Sequence, residues 1–237
     1  MIIVKNLSKR YHNHHGSKWV LKDVNFTIPS NVSVGLIGGN GAGKSTLLRI
    51  ISGMDSPDKG EVIRECKVSW PIGLSGGFQG SMTGRQNVKF VARVHGCDDI
   101  GALISKVQSF AEIGESFDEP VKTYSSGMKS RLAFGLSLAF DFDVFLSDEA
   151  TSVGDQAFRK KASDTFKSKV GESSIIIVSH AEDILRELCS AGIWLKEGQA
   201  IWFDDINTAI DEYNVYSGIP PIEVRRELRR AARRNKL

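Results

Sequence analysis

Gly38-Gly39-Asn40-Gly41-Ala42-Gly43-Lys44-Ser45-Thr46 is the stretch whose reading decides the fold. Gly38, Gly43, Lys44 and Ser45 stand at the fixed positions of the pattern G-x-x-x-x-G-K-[S/T]. Just before it, Val32-Ser33-Val34-Gly35-Leu36-Ile37 is apolar and β-branched enough for a buried strand. Just after it, Leu47, Leu48, Ile51 and Met54 recur at helical spacing, so a helix is expected to begin near Lys44. A helix start presents unpaired N–H donors and a partial positive charge, and both suit a polyphosphate. The glycines let the backbone wrap closely around it. Lys44 is expected to reach the β- and γ-phosphates and the Ser45 hydroxyl to hold Mg²⁺. The stretch implies a nucleoside triphosphate ligand; the plain alternative is a glycine-rich turn that binds nothing.

At 237 residues the chain can build one substantial core, or one core with an inserted subdomain. Its 41% hydrophobic and 25% charged content is ordinary for a globular protein. No apolar run approaches the ~20 residues needed to cross a bilayer. Met1-Ile2-Ile3-Val4-Lys5 reads as the lead into a strand, not as a leader peptide. A role at a membrane would therefore need a partner that crosses it. Cys66, Cys97 and Cys189 are scattered and form no C-x-x-C, which suits reduced thiols. The net charge of +3 conceals an asymmetry, because the last seventeen residues carry seven Lys/Arg against two Glu. That basic tail could touch anionic lipid, a membrane subunit or nucleic acid, or remain solvated.

Working outward, residues 1–11 read as a strand, 12–17 as a polar hairpin loop, and 20–28 as a half-buried strand of alternating character. Histidines 12, 14 and 15 lack an accompanying carboxylate or cysteine, and a surface loop explains them better than a metal site. Residues 61–72 have strand character. Two amphipathic stretches, 86–95 and 102–113, look like a helical insertion between two halves of an α/β core. Val144-Phe145-Leu146-Ser147-Asp148-Glu149 is an apolar strand ending in two acids, which is costly unless a cation or water uses them. With a phosphate loop upstream, Asp148 reads as holding the Mg²⁺ shell and Glu149 as the general base for water. Residues 174–180 form a second buried strand ending at His180, and 192–203 read as a hairpin turning at Glu197-Gly198. A short helix is expected around 206–215.

Leu7-Ser8-Lys9-Arg10-Tyr11, then Val20-Leu21-Lys22-Asp23-Val24, then the phosphate loop resembles an ATP-binding-cassette (ABC) ATPase. The resemblance implies an α/β P-loop NTPase core with an N-terminal antiparallel β subdomain and a helical subdomain inserted at about 74–128. Residues 1–205 would form this single domain, and 206–237 a basic helical extension. It also implies ATP and Mg²⁺ as cofactors, with Tyr11 stacking on adenine and Gln79 contacting the metal and the attacking water. His180 resembles the family's switch histidine. Tyr124-Ser125-Ser126-Gly127-Met128 sits where the family carries L-S-G-G-Q, the stretch that covers ATP held by a second copy. Ser125 and Gly127 match, whereas Tyr124, Ser126 and Met128 depart from it. One cassette builds half of each ATP site, so a homodimer is implied.

Met82-Thr83-Gly84-Arg85-Gln86-Asn87 resembles the "L-T-G-R-E-N" of polysaccharide exporters. Residues 153–161 resemble their "V-G-D-x-x-F-x-x-K" through Val153, Gly154, Asp155, Phe158 and Lys161. On that resemblance the chain is the energising subunit of a capsular polysaccharide exporter on the cytoplasmic face of a bacterial inner membrane. It would work with a separate multi-span permease, and no nucleic acid partner is expected. O-antigen or teichoic acid export is the alternative within transport; a soluble cassette ATPase acting on DNA or ribosomes, or a small P-loop kinase, lies outside it.

Overall fold

Alternation in the first third of the chain produces two long strands. β1 (Ile2–Asn13) and β2 (Gly16–Ile28) pair antiparallel, with Ile2 opposite Ile28 and Tyr11 opposite Lys18. Both strands run further into the expected 12–17 loop than the polar residues suggested, because the ladder continues to Asn13↔Gly16. The computed structural model describes residues 1–13, 16–72, 77–148 and 156–220. Residues 14–15, 73–76, 149–155 and the basic stretch from 221 lie outside it, and with them Glu149 and most of the V-G-D motif. The chain divides into two units: Met1–Leu47 with Ser56–Ile63 and Ile176–Leu237, and Leu48–Asp55 with Arg64–Ile175.

In the first unit, β4 (Lys59–Arg64) lies on the far side of β1, giving the order β2-β1-β4. Ile2, Val4, Leu7, Leu21, Val24, Phe26 and Ile28 are the buried side of this sheet. A second set of strands begins with β3 (Val34–Ile37), every residue of which is buried, as expected of a strand covered on both faces. Two later strands, β7 (Ser174–Val178) and β8 (Ala191–Lys196), flank β3 in parallel. The strand β9 (Gln199–Phe203) returns antiparallel to β8. The turn falls at Glu197-Gly198, both at positive φ (52° and 87°), the geometry that a two-residue hairpin favours. A helix, α7 (Ile206–Tyr216), packs on β3 and β8. It approaches so closely that a Cβ on Gly192 would lie 2.5 Å from the Ala209 Cβ.

The strand character expected over 61–72 divides between two strands. The chain leaves β4, turns, and starts β5 (Val68–Ile72), which pairs in parallel with β6 (Val144–Asp148). The helices of the second unit include α2 (Gly84–Val94), α3 (Ile100–Ala111), α4 (Ser126–Ala139) and α5 (Gln156–Glu172). α2 begins two residues earlier than periodicity suggested because Thr83 closes a capping box with Gln86. Thr83 Oγ1 accepts from the Gln86 N–H at 3.1 Å, and Gln86 Oε1 accepts from the Thr83 N–H at 2.9 Å. Asp99 caps α3 in the same way, accepting from the Ala102 N–H at 2.8 Å. Val88, Ala92, Leu103, Val107, Phe117, Leu132 and Leu136 form the apolar core of α2, α3 and α4. No helix among the described residues is long and apolar enough to cross a membrane.

Candidate functional site

β3 ends at Ile37, and the glycine-rich stretch leads into α1 (Lys44–Ser52). Its glycines divide into two kinds. Gly38 (φ 151°) and Gly43 (φ 103°) are buried where the loop wedges against its neighbours. A Cβ on Gly38 would lie 2.7 Å from the Leu195 carbonyl oxygen, and one on Gly43 would lie 2.9 Å from Val20 Cγ1. Gly39 and Gly41 have open space around them, and with Asn40 they form the exposed rim. Lys44 folds back over the loop, its Nζ donating to the carbonyls of Gly38 (2.7 Å) and Gly39 (3.0 Å). The first intrahelical donor is Leu47, whose N–H reaches Gly43 O at 2.8 Å. The N–H groups of the first helical turn, which point toward a helix entrance, belong here to Lys44, Ser45 and Thr46. Lys44 and Ser45 are half-buried and Thr46 is buried. An ammonium, a hydroxyl and the N–H groups of a helix start, carried on a loop without side-chain bulk at Gly39 and Gly41, fit a triphosphate with Mg²⁺.

β7 runs parallel beside β3, so Ser179-His180 leaves the sheet at the same carboxyl edge as Gly38. That edge is where ligand groups gather in open α/β sheets. His180 is exposed, and the turn that carries it is held by Ser179 Oγ accepting from the Ala181 N–H at 3.0 Å. A seven-residue helix, α6 (Glu182–Leu188), follows. Tyr11 lies on β1, 41% exposed, with the Lys9 ammonium 5.5 Å from its ring centre.

The second unit carries the other expected site residues. Asp148 ends β6 and is half-buried directly after the buried Ser147. Gln79 is exposed, and its side chain donates to Ser81 Oγ at 3.3 Å. Its backbone is fixed by Asn87, whose Oδ1 accepts from the Gln79 N–H at 2.8 Å. Asn87 Nδ2 donates to the carbonyls of Gln79 (3.1 Å), Met82 (3.3 Å) and Thr83 (2.9 Å). Only 2% of Asn87 is exposed. The sequence reading placed Asn87 only as the last position of the exporter-like motif and gave it no role, although an amide beside the buried Val88 was the available signal.

Ser125 is the N-cap of α4, its Oγ accepting from the Met128 N–H at 3.2 Å. Ser125 and Ser126 are exposed and Gly127 is half-buried. They border a depression of about 520 Å³ completed by Glu112, Ile113, Met128 and Arg131. The departure at Tyr124 has a packing cause. Tyr124 is buried in the helical core with its hydroxyl against Gly84, where a Cβ would come within 2.5 Å of it. Burial pushes the phenol's pKa up. Tyr124 and Gly84 are therefore a size-matched pair inside the core. The structure thus brings the phosphate loop and His180 to one sheet edge of the first unit, and Ser125 and Gly127 to one helix start of the second.

A family model described as "ABC transporter" matches residues 21–152. Among curated proteins, the polysialic acid transport ATP-binding protein KpsT of Escherichia coli is 53% identical over 215 residues. That alignment spans 90% of this chain and 98% of the relative. The capsule polysaccharide export ATP-binding protein CtrD of Neisseria meningitidis serogroup B is 43% identical over 90% of this chain and 99% of its own length. Among solved structures, a dimeric ATP-binding cassette in a post-hydrolysis state with ADP and Pi superposes with a TM-score of 0.72. That match covers 87% of this chain and 99% of the other at 22% identity, so it speaks for the fold. The phosphate loop at the end of β3, the helical second unit and these matches agree that the chain belongs to the ABC transporter family, as an ATP-binding and ATP-hydrolysing subunit closely related to the capsular polysaccharide export ATP-binding proteins.

Proposed function

We propose that the chain energises export of a capsular polysaccharide, as a homodimer bound to a separate multi-span permease on the cytoplasmic face of the inner membrane. The observation that carries the cargo is the near full-length correspondence with relatives named for polysialic acid transport and capsule polysaccharide export. O-antigen or teichoic acid would use the same ATPase with a different glycan. In this reading residues 1–205 are one ATPase domain with its helical subdomain at about 74–128, and 206–237 are an extension.

Lys44 and the N–H groups that open α1 bind the β- and γ-phosphates, while the remaining rim residues of Gly38–Thr46 enclose them. Ser45 and Asp148 supply the protein oxygens for Mg²⁺, which when bound neutralises charge on the phosphates. Glu149 takes a proton from water as the water oxygen attacks the γ-phosphorus and the bond to the β-phosphate oxygen breaks. His180 steadies the γ-phosphate, Gln79 orients the water, and Tyr11 stacks on the adenine. Ser125 and Gly127 of one copy cover the nucleotide held by the other. ATP binding then closes the pair and hydrolysis releases it, a two-state cycle to which the permease is coupled.

The test is capture of the intact chain from detergent-solubilised native membranes. A co-purifying multi-span protein encoded beside glycan-synthesis genes is expected. Recovery only from the soluble fraction, with nucleic acid or ribosomes attached, would contradict the transport role.

A further inference from the structure

The Phe158-x-x-Lys161 part of the polysaccharide-exporter motif has no role in the chemistry above, yet the structure gives it a defined seat. Three residues apart on α5, the two side chains share one face. Phe158 is buried and meets Phe110 of α3 edge-on at 5.6 Å and Phe134 of α4 at 6.5 Å. Phe110 and Phe134 stack on each other at 6.1 Å. The aromatic trio thus joins three helices. Two cations lie over it: Lys161 Nζ is 4.9 Å from the Phe110 ring and the Arg131 guanidinium 4.6 Å from the Phe158 ring. Both cations turn to one carboxylate. Glu112 accepts from Lys161 at 2.5 Å, and its other oxygen lies 3.9 Å from Arg131 Nη1. Lys161 also donates to the Phe110 carbonyl at 3.1 Å, at the C-terminal end of α3. Glu112 is held there in the left-handed region (φ 51°, ψ 45°) as the C-cap of α3.

We infer that Glu112, Lys161 and Arg131 are one positioning cluster, which sets the start of α4 against α5, and that Glu112 and Lys161 are its key residues. The functional meaning rests on the reading proposed above: the start of α4 carries Ser125 and Gly127, and α5 comes shortly after Glu149 in the sequence. Glu112 and Arg131 also line the depression beside Ser125 and Gly127, so the cluster borders the surface that would cover a second copy's nucleotide. The ion pairs are too exposed to contribute much stability, with 54% of the Glu112 side chain and 35% of that of Lys161 accessible. What they fix is orientation.

The test is steady-state ATPase of the full chain as a function of ATP concentration, with thermal melting alongside. Lys161→Gln and Glu112→Gln are each expected to lower kcat about tenfold while KM for ATP stays within about twofold. Tm should shift by no more than about 2 °C, because the pairs are solvent-screened. The double variant should lose clearly less than the two single losses combined, since the Glu112–Lys161 pair is common to both. Lys161→Arg, which keeps the charge and the donors, should recover most of the rate. An unchanged kcat in Lys161→Gln, additive losses in the double variant, or a rate loss that tracks a fall in Tm would each overturn the inference. A wild-type chain without ATPase activity would overturn the proposed function instead, and is told apart by its occurring before any substitution.

Discussion

In the proposed function Lys44 is the residue on which nucleotide affinity most directly depends. Its ammonium is already held over the loop by the carbonyls of Gly38 and Gly39, so little ordering remains when phosphate arrives. Lys44→Ala removes a charge-assisted contact to each of two phosphates, about 3 kcal/mol together, and should weaken ATP binding about a hundredfold. Titration calorimetry checks this, and retained affinity would remove Lys44 from the site. The sequence pattern alone made this residue legible, because strand, loop, lysine, hydroxyl and helix start are all local features. Asn87 was not legible in that way. Its importance lies in three carbonyls and one N–H around the start of α2, which its place in the exporter-like motif did not reveal. Asn87→Ala leaves these groups unsatisfied in a buried place and should cost about 3 kcal/mol, read as a lowered denaturant midpoint. An unchanged midpoint would show that water replaces the amide.

At the scale of elements, strands and helices with strong periodicity were legible and their ends were not. The ends depend on single hydrogen bonds such as the Thr83–Gln86 capping box, and the 61–72 stretch hides a turn between strands of different sheets. Tyr124 shows a further limit. Its place in a nucleotide-covering motif made it look like a departure at the site, whereas its partner is Gly84, forty residues earlier in the chain. The meeting of α2 and α4 with β5 also creates a titration. His95 keeps an exposed edge but packs against Trp70 at 5.0 Å and Phe140 at 5.4 Å, and the solvent lost to those rings lowers its pKa below 6.5. With the folded pKa depressed, the unfolded chain binds the extra proton more readily as pH falls below 6.5. Stability is therefore whole above that value and is lost as pH drops toward the folded pKa. His95→Phe should flatten the fall in Tm between about pH 7 and 5. An identical slope in both proteins would assign that pH dependence to other groups.

At the scale of the whole molecule, the account requires two copies. Each chain carries one phosphate loop and one Ser125–Gly127 helix start, and the proposal sets these across a dimer. Glu149→Gln keeps the size of the side chain and removes the proposed base, so ATP should bind without being hydrolysed. Light scattering should then show a monomer without nucleotide and a persistent dimer with ATP and Mg²⁺. A monomer with normal hydrolysis would show that Glu149 is not the base. The family and the ATPase activity were legible in the sequence because the motifs span most of the chain in order. The ionic and aromatic cluster at Glu112, Phe158 and Lys161 was visible only as an unexplained motif, since its members come from three helices.

The central claim, that hydrolysis by this chain drives a polysaccharide outward, is tested most directly by replacing the native copy with Glu149→Gln and measuring polysaccharide on the cell surface and inside the cell. The account predicts that surface polymer is lost while polymer accumulates in the cytoplasm. Unchanged surface polysaccharide, with the variant chain present at normal levels, would contradict it.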